Sequence, residues 1–292
     1  MQAALHTGRR LAVAGIAASG LLALANIGFG LRGGSTSAVA AGLEFAGDVL
    51  ASSVVLLGMT VAAKPPDANH PYGHGRFEII AGLVVGLILA VAGAAIGFRS
   101  LQKLSEIHPA PALYALWPLA ASVIVKSLLA VAKFRFGRRE RSASLVADAW
   151  NDAVDVLSAS VASVALGLTL YDPARFLAAD HYGGLAVGVI VIFTGLFVIR
   201  DTTLQLMDTM PDRELMARIR RVALAVPEVR GVEKCYARKT GLQYHVDLHL
   251  EVDPEITVRA SHEIATRVRE RIRGEIESIA DVLVHVEPSP PC

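Results

Sequence analysis

Cysteine is nearly missing. Cys235 and Cys292 are the two in 292 residues, which excludes a disulfide-stapled scaffold, a Cys-rich zinc site and a CxxC redox pair. Charge is also scarce, at 19% Asp, Glu, Lys and Arg, against about 25% in an ordinary soluble domain. Neither sign dominates: the net charge of +1 leaves no electrostatic footprint for nucleic acid. The scarcity is uneven, since 28 of the 55 charged residues precede position 210 and the other 27 fall in the last 83. A hydrophobic content of 53% and a mean hydropathy of +0.47 exclude a disordered chain. A single soluble globular enzyme is excluded as well; the composition is that of a membrane protein with a soluble tail.

Apolar runs long enough to cross a bilayer, about 20 residues each, recur six times. They cover roughly 11–31, 38–63, 79–98, 113–132, 143–169 and 182–200. An even number of spans returns both termini to one side. Arg9 and Arg10 before the first span, Lys64 and Arg76 after the second, and Lys133, Arg135, Arg138, Arg139 and Arg141 after the fourth make that side cytoplasmic. The opposite loops hold only Arg32, Arg99, Lys103 and Arg175. Thr7-Gly8-Arg9-Arg10-Leu11 imitates an export signal, but five further spans favour an anchor for the first helix. Gly82/Gly86, Gly93/Gly97 and Gly184/Gly188 are spaced for close packing of the third and sixth spans. These features predict a multi-pass protein of the cell's inner (plasma) membrane.

From about residue 210 the pattern changes. Asp212 is placed to cap a helix running to Ala225. Val229–Ala237 and Gln243–Val252 read as strands, the second alternating Tyr244, Val246, Leu248 and Leu250 with His245, Asp247, His249 and Glu251. An amphipathic helix from Thr257 to Glu277 and a strand at Asp281–Val286 complete an αββαβ order, suited to a small two-layer α+β domain. The predicted domains are a six-helix transmembrane domain over 1–209 and a cytoplasmic domain over 210–292.

Ionisable groups inside a span cost several kcal/mol and are functional candidates by default. The second span carries Glu44 and Asp48 at i, i+4, on one helix face. The fifth begins with Asp148, Asn151, Asp152 and Asp155 at i, i+3, i+4, i+7, a single polar stripe. Two helices that each present paired oxygen ligands can close a four-ligand site from Glu44, Asp48, Asn151 and Asp155. With no interior base between them, these carboxylates require a cation or protons to relieve their repulsion. Asp148 and Asp152 lie near the cytoplasmic end and read equally as solvated, with Arg141 close in sequence. Lys126 either snorkels toward the cytoplasm, as Lys133 two turns on suggests, or serves as an ion-pair partner.

The loop after the second span gathers Asp67, His70 and His74 among prolines and glycines, a plausible zinc-like ligand cluster or a set of solvated side chains. In the tail, His245 and His249 share one strand face, and His285 and Glu287 share a face of the last strand. Adjacent strands could bring His249 and His285 together, as a metal site or as an exposed polar face.

Six spans, the charged pair in the second, His70-Pro-Tyr-Gly-His74-Gly-Arg-Phe-Glu78 after it, Ala147-Asp-Ala-Trp-Asn-Asp-Ala-Val-Asp155 in the fifth and the αββαβ tail together resemble the cation diffusion facilitator family, from about residue 10 to 288. The resemblance implies a membrane all-α domain followed by a ferredoxin-like cytoplasmic domain. It implies a homodimer that exchanges cytoplasmic divalent metal for protons, with no prosthetic group and the metal as substrate and candidate regulator. It also implies a transport site at Glu44, Asp48, Asn151 and Asp155, and a loop site at Asp67, His70 and His74. A protomer-bridging tail site would use His249, His285 and Glu287, with His262 as a further candidate. Glu233 stands where zinc-binding relatives supply a histidine, and Arg76 and Asp208 match a charge interlock at the dimer interface.

The departure from the family pattern is Asn151, where zinc transporters typically place histidine, and Glu44, where Asp or His is usual. An all-oxygen quartet suits harder ions, so Mn²⁺ or Fe²⁺ is expected over Zn²⁺. A non-transporting membrane metal sensor or scaffold using the same sites is the alternative; an intramembrane hydrolase would need a catalytic motif such as GxGD, which is missing.

Overall fold

A computed structural model describes residues 2–62, 64–104, 109–139, 143–241 and 243–290. Arg141 and Cys292 lie outside the described residues, as does the side chain of Arg9. The helices are α1 (Gln2–Gly33), α2 (Thr36–Ala62), α3 (Arg76–Leu104), α4 (Leu116–Arg139), α5 (Ala143–Tyr171), the single turn α6 (Pro173–Phe176) and α7 (Ala179–Leu206). The tail adds α8 (Arg213–Leu224), β1 (Gly231–Thr240), β2 (Gln243–Val252), α9 (Val258–Glu275) and β3 (Ile279–Pro288). Among the described residues, six helices are long and apolar enough to cross a membrane. The chain divides into two compact units, residues 1–55 with 84–199, and residues 56–83 with 200–292.

In the first unit the apolar runs propagate as helices because nothing interrupts them, and the breaks fall where the backbone demands it. Gly34 takes φ +70°, and the Ser35 amide reaches back to the Gly30 carbonyl, which closes the C-terminus of α1. One residue later α2 begins, and its first turn is held by buried Asp180 at the start of α7. Asp180 accepts from Ser35 Oγ at 2.7 Å, the Thr36 amide at 2.5 Å and Ser37 Oγ at 2.5 Å. A carboxylate there satisfies otherwise orphaned amides and complements the positive end of the helix. The α3–α7 pair packs through its glycines. A Cβ on Gly93 would lie 2.8 Å from the Gly188 carbonyl, and one on Gly195 would lie 2.8 Å from that of Gly86. Small residues thus bring these two backbones into contact, as the glycine spacing predicts.

In the second unit the tail is a sheet of order β1-β2-β3, with β1/β2 antiparallel and β2/β3 parallel. Asp212 caps α8 by accepting from the Leu215 amide, and Thr257 caps α9 by accepting from that of Ala260. Val246, Leu248, Leu250 and Val252 of β2 are buried against Ile219, Val222, Ile264, Val268 and Ile272 from the two helices. The period of two therefore sends His245, Asp247, His249 and Glu251 to the opposite face. The β1–β2 turn approaches the loop after α2 so closely that a Cβ on Gly75 would clash with the Thr240 carbonyl. Gly241 makes that turn at φ +71°.

Candidate metal centres

Three groups of side chains merit chemistry. The first lies in the helical unit, between α2, α4 and α5. Glu44 and Asp155 are buried, Asp48 is partly buried and Asn151 is exposed. Asp48 and Asp155 both face the Lys126 ammonium. Glu44 is turned toward Ser158, whose hydroxyl donates to Oε1 at 2.8 Å, and its other oxygen has no hydrogen-bond partner among the described residues. Among those residues, the oxygens of Glu44, Asp48 and Asp155 are not gathered as tightly as the ligand atoms of the two triads described below.

Three expectations need correction here. An interior base does run between the carboxylates, and Lys126 does not snorkel. Its Nζ is buried, 2.5 Å from Asp155 Oδ2, 3.1 Å from Asp152 Oδ1 and 3.7 Å from Asp48 Oδ2, with Ser19 Oγ at 2.8 Å. Its ammonium also stands 5.3 Å from the Phe45 ring centroid. Nor is Asp152 solvated: it is buried and bridges Lys126 to Lys133, whose Nζ lies 2.6 Å from Asp152 Oδ2 and 2.8 Å from Asp148. Asp148, by contrast, keeps substantial exposure. The physical reason is spacing. Lys126 and Lys133 stand seven residues apart on α4, as do Asp148 and Asp155 on α5, so both stripes fall on facing sides of a tightly packed pair. That matching heptad of opposite charge was the signal that reading each helix alone misses.

The second group is the loop triad in the other unit. Prolines and glycines fold the Lys64–Gly75 segment so that Asp67 accepts from the amides of Asn69 and His70, at 2.9 and 2.7 Å. The His70 amide, foremost among its hydrogen bonds, holds the Asp67 carboxyl below its usual pKa. His70 Nδ1 lies 3.1 Å from Asp67 Oδ1, and His74 Nε2 lies 3.3 Å from Asp67 Oδ2. All three ligand atoms fall within 4.8 Å of one another, and buried Nδ1 of His74 has no hydrogen-bond partner among the described residues. Two imidazoles and a carboxylate at this separation fit a divalent transition metal with open positions left over.

The third group is the tail triad. The β2/β3 register sets His249 opposite His285, with ring centroids 5.0 Å apart. His249 Nδ1 meets Glu287 Oε1 at 2.5 Å, and His285 Nε2 lies 3.6 Å from the same oxygen. A hydrogen bond shared with Glu233, then one with His249, holds the Glu287 carboxyl below its usual pKa. Glu233 itself comes to 3.9 Å from His249. His262 is not brought into this group: it is exposed on α9, one of the helices that cover the opposite face of the sheet. Arg76 and Asp208 do meet, at 2.8 Å, and Asp208 holds the left-handed conformation at φ 56° just beyond α7.

The description "Cation efflux transmembrane domain" matches residues 12–207, and "Cation efflux protein, cytoplasmic domain" matches residues 211–289. The chain is 28% identical over 284 residues to the "Manganese efflux system protein MneP" of Bacillus subtilis, covering 96% of both chains. It is 30% identical over 262 residues to the "Magnetosome protein MamB" of Paramagnetospirillum magneticum, covering 89% of this chain and 88% of that one. With the "Magnetosome protein MamM" of Magnetospirillum gryphiswaldense it shares 31% identity over 284 residues, covering 96% and 88%.

Proposed function

The chain belongs to the cation diffusion facilitator family, a family of dimerising multi-pass membrane transporters of divalent metal, and from that membership we propose that it expels Mn²⁺ or Fe²⁺ from the cytoplasm in exchange for protons. The transport site in this reading is Glu44, Asp48, Asn151 and Asp155. The observation that carries it is the donor set: Asp48 and Asp155 converge on one ammonium, Glu44 is buried near by, Asn151 lies one turn before Asp155, and no nitrogen or sulfur ligand stands among the four. Carboxylate and amide oxygens suit a harder divalent ion, and the name of the Bacillus subtilis relative points the same way.

The exchange follows from burial. Facing the cytoplasm, deprotonated carboxylates are neutralised by the metal; facing outward at lower pH, protons take its place. Asn151 cannot titrate, so fewer protons are exchanged than at a site with histidine there. The Asp67–His70–His74 and His249–His285–Glu287 triads would take metal in the loop and in a tail lying, with both termini, in the cytoplasm. The transport domain is assigned to residues 1–209 and the dimerising tail to 210–292, with the Arg76–Asp208 pair as a charge interlock at the dimer interface. Binding to the tail would tighten the dimer as cytoplasmic metal rises.

The test is uptake into proteoliposomes holding the purified dimer, with Mn²⁺, Fe²⁺ and Zn²⁺ supplied alone and in competition and the lumenal pH followed by a trapped dye. Mn²⁺ or Fe²⁺ uptake that resists Zn²⁺ and alkalinises the lumen supports the reading. Dominant Zn²⁺ uptake overturns the preference, flux without a pH change overturns the coupling, and no flux of any metal favours a sensor or scaffold.

A further inference from the structure

The Lys126 ammonium occupies the space where the proposed transport site needs its metal. A divalent ion held by a carboxylate lies about 2.0–2.2 Å from the oxygen, whereas Lys126 Nζ already stands 2.5 Å from Asp155 Oδ2 and 3.7 Å from Asp48 Oδ2. Two cations cannot share those oxygens at such separations. The ammonium has somewhere else to go. Asp152 Oδ1 at 3.1 Å and Ser19 Oγ at 2.8 Å hold the same Nζ, and neither residue belongs to the four ligands. Asp152 is fixed in turn by Lys133 at 2.6 Å, and a Cβ at Gly15 on α1 would lie 2.7 Å from the Lys133 ammonium. Lys133 is therefore packed in place, which keeps Asp152 as a stationary anchor.

We propose that Lys126 is a tethered competing cation: it neutralises Asp48 and Asp155 while the site is empty, withdraws to Asp152 and Ser19 when metal enters, and returns to expel the metal. The charges support this role. Glu44, Asp48, Asp148, Asp152 and Asp155 all ionised, against Lys126 and Lys133, leave the cluster with three uncompensated negative charges, two of which one divalent ion cancels. Lys126 thus sets affinity and release as a positioning residue. It trades tight cytoplasmic capture for fast discharge, and its hydrocarbon stem keeps it in the pocket through every cycle.

This inference rests on the proposed transport site, and the experiment separates the two. Initial rates of Mn²⁺ uptake by full-length Lys126→Leu, Lys126→Arg, Asp152→Asn and Asp155→Ala dimers in proteoliposomes are measured at one fixed pH. Leucine offers metal no ligand and removes the rival charge. In Lys126→Leu the KM falls about tenfold or more, since a unit charge a few Å away acts through an effective dielectric of only ~20, and Vmax falls with it because release slows. Lys126→Arg keeps the charge and a KM near that of the unaltered protein. Asp152→Asn removes the anchor, holds Lys126 on Asp155 and raises KM, which keeps the proposal testable should Lys126→Leu fail to assemble. A KM that is unchanged or raised in Lys126→Leu, or unchanged or lowered in Asp152→Asn, overturns the proposal. If Asp155→Ala still carries Mn²⁺, the site assignment itself fails; if it is inactive while the Lys126→Leu KM is unmoved, only the tethered cation is lost.

Discussion

Asp180 connects the start of α7 to the helix that carries Glu44 and Asp48, and its removal has a consequence that can be worked out from the geometry. The carboxylate is fully buried and accepts from two serine hydroxyls and the Thr36 amide. In Asp180→Ala the hydroxyls recover in part, since Ser35 and Ser37 already lie 3.4 Å apart and Ser37 also reaches the Ala162 carbonyl. The Thr36 amide has no such substitute among the contacts described. A hydrogen bond to a charged group is worth about 1.5–3 kcal/mol, and loss of a helix cap costs about 0.5–2 kcal/mol. Allowing for the recovered hydroxyls, the expected destabilisation is about 3 kcal/mol. For a chain of this size that corresponds to a fall in Tm of roughly 5 °C. Asp180→Asn keeps an acceptor oxygen and loses about half as much. Circular dichroism melting of the detergent-solubilised dimer measures both. A Tm within 1–2 °C of the unaltered protein in Asp180→Ala would refute the capping argument, because no nearby group could then have needed the carboxylate.

Two further outcomes follow from the second unit. Asp208 sits at φ 56°, so Asp208→Ala loses the Arg76 pair and keeps a Cβ in left-handed backbone, whereas Asp208→Gly loses the pair but relieves that backbone cost. The alanine variant should be less stable than the glycine variant by about 1 kcal/mol, read from parallel denaturation curves; equal stabilities would contradict it. Burial, and next the Arg238 guanidinium, hold the His245 imidazole below its ordinary pKa of 6.5. A histidine kept neutral in the folded state stabilises fully above pH 6.5 and loses that contribution as the unfolded chain protonates first. Stability should therefore fall between pH 6.5 and the lowered folded value, and His245→Gln should flatten that part of the profile; an unchanged slope would count against the assignment.

Most of the architecture was legible because bilayer-length apolar runs and period-two strands have few alternatives. The cap at Asp212, the pairing of His249 with His285 and the glycine-mediated α3–α7 contact are local or periodic signals, and the structure places them as the pattern requires. The polar interior was harder. Lys126, Lys133 and Asp152 are costly singly and make sense only as a ladder between two helices, a property of their mutual packing rather than of either segment. Asp180 carries no such local signal, and only the tertiary placement of Ser35–Ser37 reveals its role. For His262 the chemistry suits a ligand, and within one protomer its helix covers the face of the sheet opposite His249 and His285.

The claim on which the account turns is that α2 and α5 hold a divalent ion on oxygen ligands alone. Equilibrium Mn²⁺ binding to the full-length dimer, with His70, His74, His249 and His285 all changed to alanine to silence the loop and the tail, addresses it without reference to flux. One Mn²⁺ should remain bound per protomer and should vanish when Asp155→Ala is added. Loss of all Mn²⁺ with the four histidines, or a bound ion that survives Asp155→Ala, would contradict it.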